Sequence, residues 1–292
     1  QFEVAKDVFS EVDEALGEKL SALMFQGEIE ELTLTKNAQP AIMAVSIAIL
    51  RVMSSNGLDL KAIDLLAGHS LGEYSALCAS GVISLTDTAI VLRKRGIAMQ
   101  KAVPEGNGSM VAVLGLTSEV VNEFIITSKC DNHLIQVAND NDPSQVVISG
   151  EKKEVEKFSA FLKQKNVKRI INLPVSAPFH SPLMKPAALT MEAELRKINF
   201  SNPIVPIIQN VDLSILDSTK GLVDRLVKQI CGTVRWRESL IKMADGYGIK
   251  NFFEIGPGKV LASTVKRTIP NANVLSVGLA PQIDQALEII NE

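Results

Sequence analysis

The segment Gly68-His69-Ser70-Leu71-Gly72 has the spacing G-x-S-x-G, with a short apolar run at 63–67 before it and the helically spaced EYSALCASG after it. Where a strand bends sharply into a helix, the serine stands out at the tip, and the next amide and the helix N-terminus can stabilise an oxyanion. Ser70 is therefore a candidate nucleophile; the plainer alternative is a glycine-rich turn whose serine caps the helix. A serine hydroxyl attacks poorly until a base takes its proton, and histidine is the usual base near neutral pH. The chain has 3 histidines. His69 adjoins Ser70, where neighbouring side chains diverge, and His133 sits in the polar turn Asp131-Asn132-His133. His180 remains, in the proline-punctuated loop Ala177-Pro178-Phe179-His180-Ser181-Pro182; loops held by a rigid scaffold are where catalytic groups concentrate.

A triad acid would fall between serine and histidine in chain order. Asp87, Asp131, Asp140 and Asp142 are candidates and none stands out, while a dyad oriented by a backbone carbonyl is equally permitted. Arg95 lies on a helix that could pack beside the elbow, and its planar fork could hold a carboxylate with two hydrogen bonds. Spacing alone favours a solvated face for Arg93-Lys94-Arg95. Glu254-Ile255-Gly256-Pro257-Gly258-Lys259 lacks the spacing and terminal Ser/Thr of a phosphate loop and reads as a strand-to-helix turn.

A length of 292 residues with 46% hydrophobic and 22% charged content suits one large α/β domain, or a large one with a small one, and excludes disorder as the main state. A balance of 30 basic and 33 acidic residues leaves a formal charge of -3, without the positive field that nucleic-acid binding needs. Cys78, Cys130 and Cys231 are odd in number and far apart, so they make neither a disulfide framework nor a CxxC metal pair, and no metal and a reducing, cytoplasm-like compartment are expected. The longest apolar stretch, AIMAVSIAIL at 41–50, falls short of the roughly 20 residues that cross a bilayer, so no membrane is expected as partner. Gln1 opens no secretory signal, and an upstream segment is expected to be missing.

The periodicities predict a helix over 2–23, a buried helix over 39–53, a strand at 63–67 entering the Ser70 turn, and a helix over 84–103. From about 107 to 175 the order strand, helix, strand, strand, helix, strand is the split βαβ arrangement of a ferredoxin-like domain. It is inserted in a larger domain made of 1–106 and 176–292. In the latter, helices near 186–197, 220–231 and 236–246 alternate with strands at 204–209, 251–255 and 274–277. Such alternation implies a mostly parallel sheet covered on both faces.

These motifs closely resemble the bacterial-type malonyl-CoA:acyl-carrier-protein transacylase family. The resemblance is carried by Gly68-His69-Ser70-Leu71-Gly72-Glu73-Tyr74-Ser75-Ala76-Leu77, Arg95-Gly96 with Met99-Gln100, and Val103-Pro104-Glu105-Gly106. It continues through Gln145-Val146-Val147-Ile148-Ser149-Gly150, Pro174-Val175-Ser176-Ala177-Pro178-Phe179-His180 and Glu254-Ile255-Gly256-Pro257-Gly258-Lys259-Val260-Leu261, nearly the whole chain in order. It implies an α/β-hydrolase-like large domain with a ferredoxin-like insert. It also implies a ping-pong transfer in fatty acid biosynthesis: Ser70, deprotonated by His180, takes malonyl from malonyl-CoA and yields it to the phosphopantetheine thiol of an acyl carrier protein. Arg95 would pair with malonyl's free carboxylate, the backbone carbonyl of Gln229 would orient His180, the Leu71 amide would serve as oxyanion donor, and Phe179 would suit malonyl. No cofactor of the chain's own is implied, since the carrier bears the phosphopantetheine. The family's Gly-Gln-Gly-Ser-Gln segment, source of a second oxyanion donor, does not occur here, and a chain lacking it is expected to work poorly. A serine hydrolase or thioesterase on the same elbow is the alternative reading. A third makes the chain a carrier-docking module, with Lys163, Lys165, Lys168 and Arg169 facing an acidic carrier, although a solvated basic face is the commoner meaning of such a run.

Overall fold

A computed structural model describes residues 2–175 and 177–291. Gln1, Glu292 and Ser176, the residue expected to open the second part of the larger domain, lie outside the described residues. The first helix, α1 (Glu3–Leu16), buries Val8 and Val12 and ends at Gly17, whose φ of 64° is left-handed. There the Gly17 and Glu18 amides return to the Glu14 and Asp13 carbonyls. The single helix expected over 2–23 is thus two, α1 and α2 (Leu20–Gln26), because glycine takes the left-handed turn that ends a helix at little cost.

A short α3 (Ile29–Thr33) leads into α4 (Thr35–Ser55), which at 21 residues outruns the apolar stretch seen in the sequence. By length and composition α4 could cross a bilayer, but half of its most apolar window is buried within the protein, where it packs on α1, α5 (Leu71–Ala79) and α6 (Leu85–Lys101). Ser84 starts α6: its hydroxyl accepts the Asp87 amide at 3.0 Å. Met43, Tyr74, Leu77 and Leu92 share the core between these helices.

From 108 to 172 the chain forms β1 (Gly108–Leu114), α7 (Ser118–Thr127), β2 (Ile135–Asp142), β3 (Gln145–Glu151), α8 (Lys152–Gln164) and β4 (Arg169–Asn172). The sheet order is β2-β3-β1-β4 with every neighbouring pair antiparallel, which is the split βαβ order. Alternate residues Val111, Val113, Val146 and Ile148 face Phe158 and Leu162 of α8.

The remainder holds α9 (Lys185–Leu195), β5 (Ile207–Ile208), β6 (Ile215–Leu216), α10 (Leu222–Cys231) and α11 (Trp236–Ile241). A π-helical turn at Lys242–Gly246 follows, then β7 (Asn251–Ile255), α12 (Val260–Thr268), β8 (Asn273–Val277) and α13 (Ala280–Asn291). β7 and β8 are parallel, as alternating strands and helices imply, but the continuous parallel sheet is reduced to short ladders. The strand expected at 63–67 keeps one parallel bridge, Leu66 opposite Ile207, and the strand expected at 204–209 keeps only β5, which pairs antiparallel with β6. Pro203 and Pro206 explain the loss, because proline has no N–H to give a ladder.

Two links position the site. Leu66 exchanges bonds with Pro206 and Ile208 at 2.9 and 3.0 Å, so Gly68 to Ser70 run beside Gln209 and Asn210. Asp140 and Ala138 of β2 bond both sides of Val234 at 3.0 and 2.8 Å, joining the four-stranded sheet to the segment that follows α10.

Candidate active site

Ser70 has φ 53° and ψ -105°, a conformation that L-residues rarely adopt and that the surroundings must enforce. Gly68 makes the bend possible: a Cβ there would lie 1.9 Å from the backbone carbon and oxygen of Gly72, whereas a Cβ on Gly72 would meet nothing within 4 Å. Asn210 holds the bend from both sides. Its Oδ1 accepts the Ser70 amide at 2.8 Å and its Nδ2 donates to the Gly68 carbonyl at 2.8 Å. The Leu71 amide opens α5, where helical geometry leaves an N–H without an intrahelical acceptor.

The Ser70 hydroxyl lies 2.7 Å from His180 Nε2, and His180 Nδ1 lies 2.7 Å from the Gln229 carbonyl. A carbonyl can only accept, so Nδ1 carries the proton, Nε2 keeps its lone pair, and Ser70 donates to it. Burial first, and the Arg95 charge second, pull the His180 pKa down to about 3, against the Gln229 carbonyl, which raises it. The imidazole is therefore neutral at pH 7. His180 itself has φ 55°, and Gln136 of β2 steadies its loop by donating from Nε2 to the His180 and Cys231 carbonyls at 2.6 and 2.7 Å.

Arg95 corrects the solvated-face reading of Arg93-Lys94-Arg95: it is 1% exposed. Of its neighbours, Lys94 is exposed and pairs with Glu194, while Arg93 is half-buried and pairs with Glu18. From Nη2 Arg95 donates to the Ser70 hydroxyl at 3.1 Å and to Gln229 Oε1 at 2.9 Å, and from Nη1 to Gln39 Oε1 at 2.7 Å. The Tyr74 ring centroid lies 5.4 Å from its carbon. Among the described residues no carboxylate forms an ion pair with it, so a buried cation waits beside the serine with neutral partners only. An anionic substrate group would complete it.

The open question of a triad acid resolves onto other partners. Asp140 accepts Arg237 Nε at 2.9 and 3.0 Å, Asp142 accepts Arg267 at 2.7 Å, Asp87 accepts the Ser84 hydroxyl at 2.8 Å in the first turn of α6, and Asp131 is exposed. His69 turns away from Ser70, as neighbouring side chains at an elbow must, and meets Asn141 Oδ1 at 2.9 Å and the Trp236 ring. His133 is exposed. The Glu254–Lys259 segment is a strand-to-helix turn: Glu254 ends β7 with Ile255, and its carboxylate accepts the Leu261 and Ala262 amides at the start of α12. Phe179 packs against the core beside His180, while Lys163, Lys165, Lys168 and Arg169 are exposed.

Four residues of the site were not singled out from the sequence, Gln39, Glu73, Gln136 and Asn210. Glu73 alone left a signal, a charge within the otherwise apolar opening of α5.

This constellation, a strained serine, a neutral imidazole and a buried arginine, is the equipment for moving an acyl group with an acidic end. The comparisons agree. The acyl transferase domain family matches residues 2–288. The chain is 42% identical over 292 residues to malonyl CoA-acyl carrier protein transacylase of Bacillus subtilis (strain 168), covering 100% of this chain and 91% of the relative. It is 39% identical over 288 residues to the protein of that name from Escherichia coli (strain K12), covering 99% and 92%. The acyl-carrier-protein-S-malonyltransferase structure from Bartonella henselae superposes with a TM-score of 0.96 at 49% identity, covering 100% and 93%. A malonyl-transacylase solved in complex with its type II PKS acyl-carrier protein superposes with a TM-score of 0.94 at 38% identity, covering 99% and 92%. With the family model matching residues 2–288 and sequence agreement across its whole length, the chain belongs to the acyl transferase domain family.

Proposed function

We propose that this chain transfers a malonyl group from malonyl-CoA to the phosphopantetheine thiol of an acyl carrier protein in fatty acid biosynthesis, through a malonyl ester on Ser70. One observation carries the reading: Arg95 Nη2 and His180 Nε2 converge on the same serine oxygen, at 3.1 and 2.7 Å. In the first half, His180 Nε2 takes the Ser70 proton as the oxygen bonds to the thioester carbon. The Leu71 amide receives the oxyanion, and the carbon–sulfur bond breaks with the proton passing from the imidazolium to the CoA sulfur. In the second half the carrier thiol gives its proton to His180, attacks the ester carbon and releases Ser70, which recovers the proton. The Gln229 carbonyl holds the imidazole in the tautomer both halves need. The malonyl carboxylate pairs with Arg95, and acetyl has nothing to offer that guanidinium. The chain needs no cofactor of its own, and three unpaired cysteines suit a cytoplasmic setting.

Time-resolved mass spectrometry tests the reading. A malonyl adduct on Ser70 should persist in water and disappear when carrier protein is added, whereas discharge by water at the same rate would make the chain a hydrolase. Ser70→Ala should abolish the adduct while leaving carrier binding intact. Arg95→Ala should lower the malonyl-over-acetyl preference by about 100-fold, the worth of two charge-assisted hydrogen bonds; an unaltered ratio would remove the carboxylate clamp from the account.

A further inference from the structure

Glu73 stands three residues beyond the nucleophile, in the first turn of α5, and is 1% exposed. A carboxylate in such a place must be matched by donors. Three meet it: Gln209 Nε2 donates to Oε1 at 3.1 Å, and the Asn210 amide and Gln229 Nε2 donate to Oε2 at 3.2 and 2.8 Å. Gln229 is the notable partner, because it touches the reacting groups at both ends. Its backbone carbonyl accepts from His180, and its side-chain Oε1 accepts from Arg95.

A glutamine amide is nearly symmetric in shape, and only its neighbours decide which end is oxygen. Were it turned over, its NH2 would face the Arg95 guanidinium, donor against donor, and its oxygen would face Glu73, acceptor against acceptor whenever that carboxyl is ionised. The Ser70 carbonyl, which accepts Gln229 Nε2 at 2.9 Å, would be opposed in the same way. Arg95 has no flexibility to escape such a clash, since Gln39 and the Tyr74 ring fix its remaining faces.

We infer that Glu73 is a positioning residue that sets the orientation of the Gln229 side chain and, through it, holds Arg95 where a substrate carboxylate is to bind. The same carboxylate grips the Asn210 amide, and Asn210 grips the bend, so one buried acid ties the elbow to the arginine. This role rests on the malonyl-transfer reading. It differs from a triad acid: Glu73 contacts Gln229 rather than His180, and its effect falls on the choice of acyl group.

The test compares Glu73→Gln with Glu73→Met in single-turnover acylation of Ser70 by malonyl-CoA and by acetyl-CoA. Rates are normalised to active sites counted with a serine-reactive fluorophosphonate, so that a loss of folded protein does not enter. Glutamine retains an acceptor toward Gln229 and Asn210, because Gln209 can rotate its own amide to meet the new NH2. The malonyl-over-acetyl ratio should stay within about 3-fold of the parent. Methionine fills the space without accepting, and the ratio should fall at least 10-fold, because the half-saturation for malonyl-CoA rises beyond any loss that both donors share through Asn210. Should the methionine variant fail to fold, Glu73→Asp serves: its shorter arm cannot reach both Gln229 and Asn210, and the ratio should fall by several-fold. Equal losses for both acyl donors, or an unchanged ratio in the methionine or aspartate variant, would overturn the assignment. The parent enzyme distinguishes the two levels, since absence of malonyl on its Ser70 would defeat the transfer reading itself.

Discussion

Replacing Asn210 by alanine removes the two hydrogen bonds that clasp the backbone on either side of Ser70, each 2.8 Å long and both shielded from water. The Ser70 N–H and the Gly68 carbonyl would be left without their partner, at about 1–3 kcal/mol each. Against this, the bend at Ser70 is strained, and letting it relax returns about 1–3 kcal/mol. At the centre of each range the difference is a net loss of about 2 kcal/mol in stability, which urea unfolding at unchanged m-value would read directly. Relaxation has a second consequence. A shift of about 1 Å in the serine oxygen breaks its 2.7 Å contact with His180, and misplacement of that size costs about 100-fold in rate. Stopped-flow acylation of Ser70 by malonyl-CoA should slow accordingly, with substrate binding less affected because Gln39 and Gln229 still hold Arg95. A variant that loses under 0.5 kcal/mol and acylates at the parental rate would show that the elbow keeps its shape without Asn210.

Three further outcomes are expected. Gly68→Ala should cost about 3 kcal/mol or more and abolish Ser70 labelling, because its Cβ would meet backbone at 1.9 Å, whereas Gly72→Ala should leave thermal stability unchanged or raise it slightly. Arg237→Met should cost about 3 kcal/mol in urea unfolding by stranding the buried Asp140 carboxylate, and adding Asp140→Asn should recover much of it. His180, pulled down to about 3, is neutral in the folded chain while the unfolded chain binds a proton below 6.5, so it costs stability as pH falls through that window. Glu73, pushed up to about 7 chiefly by burial, holds a proton that the unfolded chain releases above 4.5, so it costs stability as pH rises from 4.5 to 7. The two opposing slopes mask each other between 4.5 and 6.5; Glu73→Gln should expose the His180 slope, about 1.4 kcal/mol per pH unit, and parallel curves for variant and parent would contradict it.

What could be read from the sequence was whatever depends on neighbours along the chain. The elbow is five consecutive residues, and the order of strands and helices over 108–172 follows from local periodicity. The helix break at Gly17 and the strands cut short by Pro203 and Pro206 were equally local and could have been read from residue type. Partner choice was not legible. Asp140 and Asp142 lie in the right chain order for a triad, and only tertiary packing assigns them to Arg237 and Arg267. Arg95 sits in a run of three cations, where spacing cannot tell a solvated guanidinium from a buried one. The resemblance pointed inward, and the structure supplies the reason: a Cβ on the adjacent Gly96 would lie 2.5 Å from the Thr35 carbonyl, so α6 is pressed against the start of α4 there.

The closeness of Arg95 to His180 creates a tension that the substrate itself can relieve. Burial lowers the base's pKa first, and the guanidinium lowers it further. A base held far below neutrality is always free to accept a proton but accepts it weakly, and proton abstraction is most effective when the pKa lies near the working pH. A carboxylate seated on Arg95 cancels the second effect while leaving the first, so the imidazole becomes a stronger base when malonyl occupies the site. An acyl group without that charge leaves the guanidinium uncompensated and its bond to the Ser70 oxygen in place. On the proposed reading, discrimination between malonyl and acetyl therefore operates twice, once in binding and once in the strength of the base, from a single arginine that the Gln229 amide keeps in register.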